Sequence, residues 1–287
     1  MKYVYFAIAL LVITIGALQL WRQSDQRSTA AAWQRLEHTP SILPEHFDTA
    51  LVKDLPEAAQ RYFLFSIAPA AKLSTVSEIT MSGTLSLGTK ENPGYQPMRA
   101  RQILSPPHGL VWHLEAGRWP LRFTGSDGME GEESWVRFWL MGVLPVARAG
   151  GDQDHLRAAF GRVVAEAAFW APAALLPQNG VTWESVDADT ARATVTHRGM
   201  TQTVDIHVDA AGRPIWVMIP RWSDANPDKS YRIQPFGGTL DDFREVDGYR
   251  LPFRVDGGNF FGTDAYFPFY RAQVERIRLL PGGGERR

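Results

Sequence analysis

The sequence predicts a mainly β protein with one central helix: a curved antiparallel sheet, or half-barrel, wrapped around that helix and preceded by an N-terminal transmembrane helix. Three observations predict it. Period-2 hydrophobic segments lie on both sides of one long stretch of helical period, and an uncharged apolar run opens the chain. A flat open sheet of about a dozen strands buries little, whereas one curled around a helix buries both partners.

Residues 3–21, YVYFAIALLVITIGALQLW, carry no charge and are flanked by Lys2 and by Arg22 and Arg27. At about 1.5 Å per residue a helix of this length spans roughly 28 Å, close to the apolar thickness of a bilayer. The alternative is a cleaved signal peptide. Cleavage after Ala17 places bulky Ile15 where a small residue is wanted, and the small-x-small site Ala30 to Ala32 lies far beyond Trp21. The reading is therefore a single-pass anchor. The flanking charges nearly balance, so an extracytoplasmic, periplasmic body rests on the short N-terminal flank.

The chain divides into an anchor at 1–21, a polar, Ala-rich helical stalk at 22–54 with its helix ending at Thr39-Pro40, a half-barrel domain at 55–280 and a mobile tail, PGGGERR, at 281–287. Within the domain, 55–67 predicts a short amphipathic helix with Pro56 in its first turn and Pro69 after its end. From Ser77 the period becomes 2, with Ile79, Met81, Leu85 and Leu87 alternating with polar residues. Strands follow at 98–104, 109–115, 119–125 and 134–141, with Ser126-Asp127-Gly128 read as a turn. Beyond the helix come 181–186, 191–196, 203–208, 215–219, 239–246, 250–255 and 266–279. Val204, Ile206 and Val208 face Ile215, Val217 and Ile219 across Asp209 to Gly212 as a hairpin.

The long helix covers 151–170, with Asp152 as its cap and Pro172 as its stop. Leu156, Phe160, Val163, Val164, Ala167 and Trp170 give it an apolar face. Ala158, Ala159, Ala165 and Ala168 keep the rest small, so strands can approach all round. Arg162 and Glu166 stand four apart, with His155 seven before Arg162, so the three share one side. Exposed, the pair is an ordinary i,i+4 bridge worth about 0.3–0.5 kcal/mol. Desolvated in a cleft, it orients the polar head of a ligand, with Asp127 balancing Arg162.

Thirty basic and 31 acidic residues leave a net charge of −1, which argues against a nucleic-acid partner, and 45% apolar content excludes general disorder. The chain has no Cys, so disulfides, thiolate metal sites and a Cys nucleophile are excluded. Scattered His without HExxH predict no metal, and without a Walker loop, GxGxxG or GxSxG no cofactor or nucleophile elbow is predicted. Ten Trp are many for 287 residues. Along Trp135 to Leu140 and Pro214 to Met218 both strand faces are apolar, so Trp135, Trp139 and Trp216 need a partner on the second face: the helix, the membrane surface or a hydrophobic ligand.

Gly125 and Asp127, Gly142, Pro145, Arg162-x3-Glu166, Pro172, Leu175-Leu176-Pro177 and Trp183 together resemble an uncharacterised bacterial domain-of-unknown-function family, usually membrane-anchored. The likeness extends from about Leu55, through LPEAAQRYF, to about Leu279, and Val246-Asp247-Gly248-Tyr249-Arg250-Leu251-Pro252 is similar to a strand of lipoprotein-carrier half-barrels. That similarity implies an incomplete barrel around a helix, a fold used to hold acyl chains. The functional expectation is a membrane-tethered binding or transport module for a lipid or other hydrophobic ligand, with Arg162, Glu166, Asp127, His155, Trp135, Trp139 and Trp216 as ligand-binding residues. An interaction or scaffolding subunit at the membrane is the alternative, and a hydrolase using Glu166 as general base a third. No cofactor enters any of these readings, and oligomeric state is left open.

Overall fold

The computed structural model describes residues 1–281. Of the tail expected at 281–287, all but Pro281 lies outside the described residues. Helix α1 (Lys2–Glu37) opens the chain, followed by a 3-10 turn (Thr49–Val52) and helix α2 (Glu57–Ser66). Six strands come next: β1 (Val76–Leu85), β2 (Gln96–Ser105), β3 (Gly109–Ala116), β4 (Phe123–Glu130), β5 (Glu133–Leu140) and β6 (Leu144–Gly150). Helix α3 (Gln153–Trp170) and two 3-10 turns lead to β7 (Thr182–Ser185), β8 (Thr190–His197), β9 (Met200–Val208), β10 (Pro214–Ser223), β11 (Arg232–Val246), β12 (Tyr249–Asn259) and β13 (Phe267–Leu280).

All thirteen strands form one antiparallel sheet, ordered β6-β5-β4-β3-β2-β1-β13-β12-β11-β10-β9-β8-β7. Each half is a meander between neighbours in sequence. The halves join at the centre, where β1 pairs with β13 from Val76↔Leu280 to Leu85↔Tyr270. Helix α3 is the crossover from one sheet edge to the other, so its length crosses the concave face. Asp152 accepts from the His155 backbone N–H at 2.7 Å and caps it, and Pro172 follows its end. Leu156, Phe160, Val163, Val164, Ala167 and Trp170 are all buried, as are Ala158, Ala165 and Ala168. Each large apolar side chain among them contributes about 1.5–3 kcal/mol of burial. Helix α2 closes the far end, with the Tyr62 hydroxyl donating to the Ala168 carbonyl at 2.8 Å.

Three local expectations are corrected. The Ser126-Asp127-Gly128 turn is the middle of β4, and the strand expected at 119–125 begins at Phe123. Pairing with β3 and β5 along the whole of β4 overrides the turn chemistry of three residues, and the reversal falls at Gly131. Strand β6 was not expected. Its segment, LPVARAG, shows only a faint alternation, and its place is set by the free backbone groups of β5. In the β9–β10 hairpin Val217 stands opposite Ile206 as expected, while a register shift between Pro214 and Trp216 takes Ile215 out of the series.

The stalk also differs from a free spacer. The helix runs unbroken from Lys2 to Glu37, with the remainder to residue 54 irregular apart from the 3-10 turn. Past the apolar run, Asp25, Thr29, Ala32 and Leu36 are buried, a 4-3-4 spacing that lays one helix face on the convex side of β1–β5.

Candidate functional site

On the concave face, register assembles the first candidate. Gln102 of β2 stands opposite Trp112 of β3, which stands opposite Asp127 of β4, so the three side chains form a row under α3. Into this row Arg162 points from α3. Its Nε donates to Glu166 Oε1 at 2.6 Å, its Nη1 to Asp127 Oδ2 at 3.2 Å and its Nη2 to Gln102 Oε1 at 3.1 Å. Gln102 Nε2 donates in turn to Glu166 Oε2, and the guanidinium carbon lies 5.1 Å from the centre of the Trp112 ring. Arg162 and Glu166 side chains are 14% and 12% exposed, Asp127 29%, so the pair is the desolvated one.

Burial works against the charge of Arg162, and Glu166 and Asp127 beside it more than restore it, so the guanidinium stays protonated. Burial and the neighbouring Arg162 push Arg221 down; its Nε donates to the Ala158 carbonyl at 3.3 Å. Burial raises the Tyr270 phenol, whose hydroxyl donates to Met81 Sδ at 2.8 Å. The Trp112 indole N–H is buried and has no hydrogen-bond partner among the described residues. Both Glu166 oxygens are engaged, which suits a side chain that holds others in place better than one that accepts a substrate proton. Away from this cluster, a cleft of about 20 Å³ lies between Val164, Ala167, Leu175 and Val195, room for about one water.

The convex face carries the second candidate. Trp135, Arg137 and Trp139 alternate along β5 with Val136 and Phe138, which face α3, and helix α1 covers the first set. Asp25 accepts from Arg148 Nη1 at 2.7 Å, from Arg148 Nη2 at 2.9 Å and from Trp139 Nε1 at 3.0 Å. Burial opposes ionisation of Asp25, but these bonds and nearby Arg137 outweigh it and hold its carboxyl below the usual carboxylate range. Thr29 and Ser126 share a 3.0 Å hydroxyl contact, and Trp135 Nε1 donates to Ser126 at 3.0 Å.

Beside this contact a groove of about 710 Å³ opens between α1 and the sheet. Arg22, Arg99, Arg101, Arg122 and Arg137 line it, with Asp25, Glu115 and Glu275 as its carboxylates. One end lies beside the last turn of the apolar run. Gln19 donates to the Gly142 carbonyl at 2.9 Å and Trp21 meets Trp139 edge-on at 5.5 Å. Gly142 has φ +70°, and a Cβ there would sit 2.9 Å from Arg22 Nη1, so glycine lets the guanidinium lie on the β5–β6 turn. The Met141 N–H bonds the Arg122 carbonyl at 2.9 Å, which brings the β3–β4 loop alongside. At this end Trp119 is 85% and Leu121 70% exposed, and Met141, Leu144 and Val146 are also exposed.

Of the seven expected site residues, Arg162, Glu166 and Asp127 are brought together. His155 is separate, its Nδ1 2.8 Å from the Ser134 hydroxyl. Trp135 and Trp139 lie beneath α1 with their indole N–H groups occupied. Trp216 is on the convex side of β10, stacked on His207 at 5.0 Å. Gln102, Trp112 and Arg221 escaped sequence reasoning. Gln102 left a signal, as the one polar residue in the Met98, Ala100, Leu104 series of β2. The groove arginines left none, being drawn from four separate segments.

Fold and site together define a half-barrel closed by its own crossover helix and joined to a helix long and apolar enough to cross a membrane. The chain belongs to DUF6544, a family of unknown function, whose pattern matches residues 45–272. No curated protein matches it. Among solved structures it is similar to a LolA superfamily protein from Nitrosomonas europaea, with a TM-score of 0.39, 13% identity and coverage of 77% of this chain and 91% of that one. It is also similar to a domain described as an outer membrane lipoprotein-sorting protein from Vibrio parahaemolyticus, with a TM-score of 0.36, 10% identity and coverage of 71% and 84%.

Proposed function

We propose that this protein is a membrane-tethered lipid-binding module, held by an uncleaved α1 with its body on the extracytoplasmic side and working at the bilayer surface. The observation that carries the reading is the continuity of α1 from its apolar run into a docked face of the body. Cleavage near Ala30 to Ala32 would remove Asp25 and leave Arg148 and Trp139 unpartnered beneath it. With α1 in the bilayer, Trp119, Leu121, Met141 and Leu144 stand at headgroup level, where exposed aromatic and apolar side chains are favoured. In this reading the Arg162, Glu166 and Asp127 cluster fixes α3 in the concave face and is the polar anchor for any chain admitted between them.

The test is native mass spectrometry of the full-length protein released from membranes in a neutral detergent. Retained lipid on a folded, uncleaved chain is expected. A chain that begins after Ala32, or an uncleaved one that carries no lipid, would overturn the proposal.

A further inference from the structure

The groove between α1 and the convex face is charged far beyond what its own structure uses. Of its three carboxylates, Asp25 is already matched by Arg148 from outside the lining, and Glu115 is paired with Arg122. Arg101 binds Glu78 at 2.7 Å yet remains largely exposed, with its guanidinium carbon 5.4 Å from the Trp33 ring. Arg137 donates to the Ser28 hydroxyl at 3.2 Å and stands 3.9 Å from Asp25. Arg22 and Arg99 have no carboxylate partner among the described residues. Burial and nearby Arg101 push the His113 imidazole toward its neutral form, so it adds no charge to the balance. What faces the groove is a surplus of guanidinium groups with Glu275 as the one opposing carboxylate outside an ion pair among the described residues.

We infer that this groove binds a phosphate-bearing anion, and that at the bilayer surface the anion is the headgroup of an anionic phospholipid. Guanidinium groups recognise phosphate oxygens through paired, charge-assisted hydrogen bonds. The groove volume of about 710 Å³ suits a headgroup with the start of its acyl chains. Position supplies the source. Arg22 is the first charge after the apolar run, and the Gln19 and Trp21 contacts hold the groove mouth at that level. The exposed Trp119 and Leu121 beside Arg122 give the acyl chains an apolar border. The lipid as the source of the anion rests on the proposed membrane placement of α1; the guanidinium site itself needs only that residues 22–29 stay docked on the sheet.

The test titrates full-length protein in neutral detergent with phosphatidylglycerol, phosphatidylcholine and inorganic phosphate, following thermal unfolding by Trp fluorescence and bound lipid by native mass spectrometry. Phosphatidylglycerol is expected to raise the unfolding midpoint and phosphatidylcholine to leave it unchanged, with the shift shrinking in high salt. Arg99→Gln should weaken phosphatidylglycerol binding by roughly 5- to 10-fold while leaving the lipid-free midpoint in place, because Arg99 holds no other side chain. Glu275→Gln should tighten it, by removing a like charge. An equal, Arg99-dependent shift with inorganic phosphate would keep the anion site and make free phosphate its ligand. Equal binding of both lipids, or binding unaffected by Arg99→Gln and Glu275→Gln, would overturn the inference while leaving a lipid-binding protein. Loss of all lipid with an intact phosphate response would instead overturn the membrane reading and leave the anion site standing.

Discussion

Strand β5 separates two helices that dock by different physics. On its concave side α3 is buried along most of its length by apolar contacts, and the Arg162 guanidinium that points into the sheet is matched by Glu166 of the same helix and by Asp127 and Gln102. On its convex side α1 rests on a single face, apolar at Ala32 and Leu36 and polar at Thr29 and Asp25. The first interface is stabilised by area and cannot open without exposing the core. The second combines a smaller apolar patch with a few directed bonds near the groove, so it can loosen at less cost while the half-barrel stays folded. One sheet thus carries a structural helix and a separable one.

Three perturbations sharpen or break that contrast. The largest effect belongs to Glu166→Ala, which strands a buried guanidinium and should cost about 3–5 kcal/mol, lowering the thermal midpoint of the whole body. Glu166→Gln, which keeps an acceptor, should lose less. Midpoints within a degree or two of wild type for both would mean that the cluster is solvated. Next is Asp25→Ala, expected to cost about 2–3 kcal/mol locally, by freeing residues 22–37 to exchange amide hydrogen while α3 stays protected. The same contact gives a pH dependence. Because the Asp25 carboxyl is held below its ordinary value, its stabilisation is complete above roughly pH 4 and lost as pH falls through the lowered value. Acid should therefore release α1 first; simultaneous loss of protection in both helices would break the contrast. Smallest is Arg35→Ala. Its pair with Glu130 is solvent-exposed on the arginine side, and the change should cost under about 1 kcal/mol in a double-mutant cycle.

What the sequence disclosed follows the same division. The wrapped sheet was legible because period-2 segments flank one helix whose small residues allow close approach. The Arg162–Glu166 pair was legible because a four-residue spacing needs no tertiary information. Asp127 was found as a residue but placed in a turn, since only pairing with β3 and β5 makes that segment a strand. The docking of α1 was hidden because two of its four contact positions, Asp25 and Thr29, are polar, so the face reads as solvated stalk. The groove was hidden because its charges converge from α1, β2, β5 and the loop before β4 only once the sheet has formed.

The half-barrel leaves two strands, β6 and β7, each with one side unpaired, and such edges are templates for another chain to add to. Here they are poor ones. β7 is four residues long, and β6 carries Pro145 beside a register irregularity between Phe138 and Trp139. Leu144, at the start of β6, is adjacent to the Gly142 turn against which Arg22 rests, so an incoming strand would meet helix α1 at that end of the edge. An open sheet is in this way kept from polymerising, because the docked α1 guards an edge that a short, proline-bearing strand alone would leave exposed.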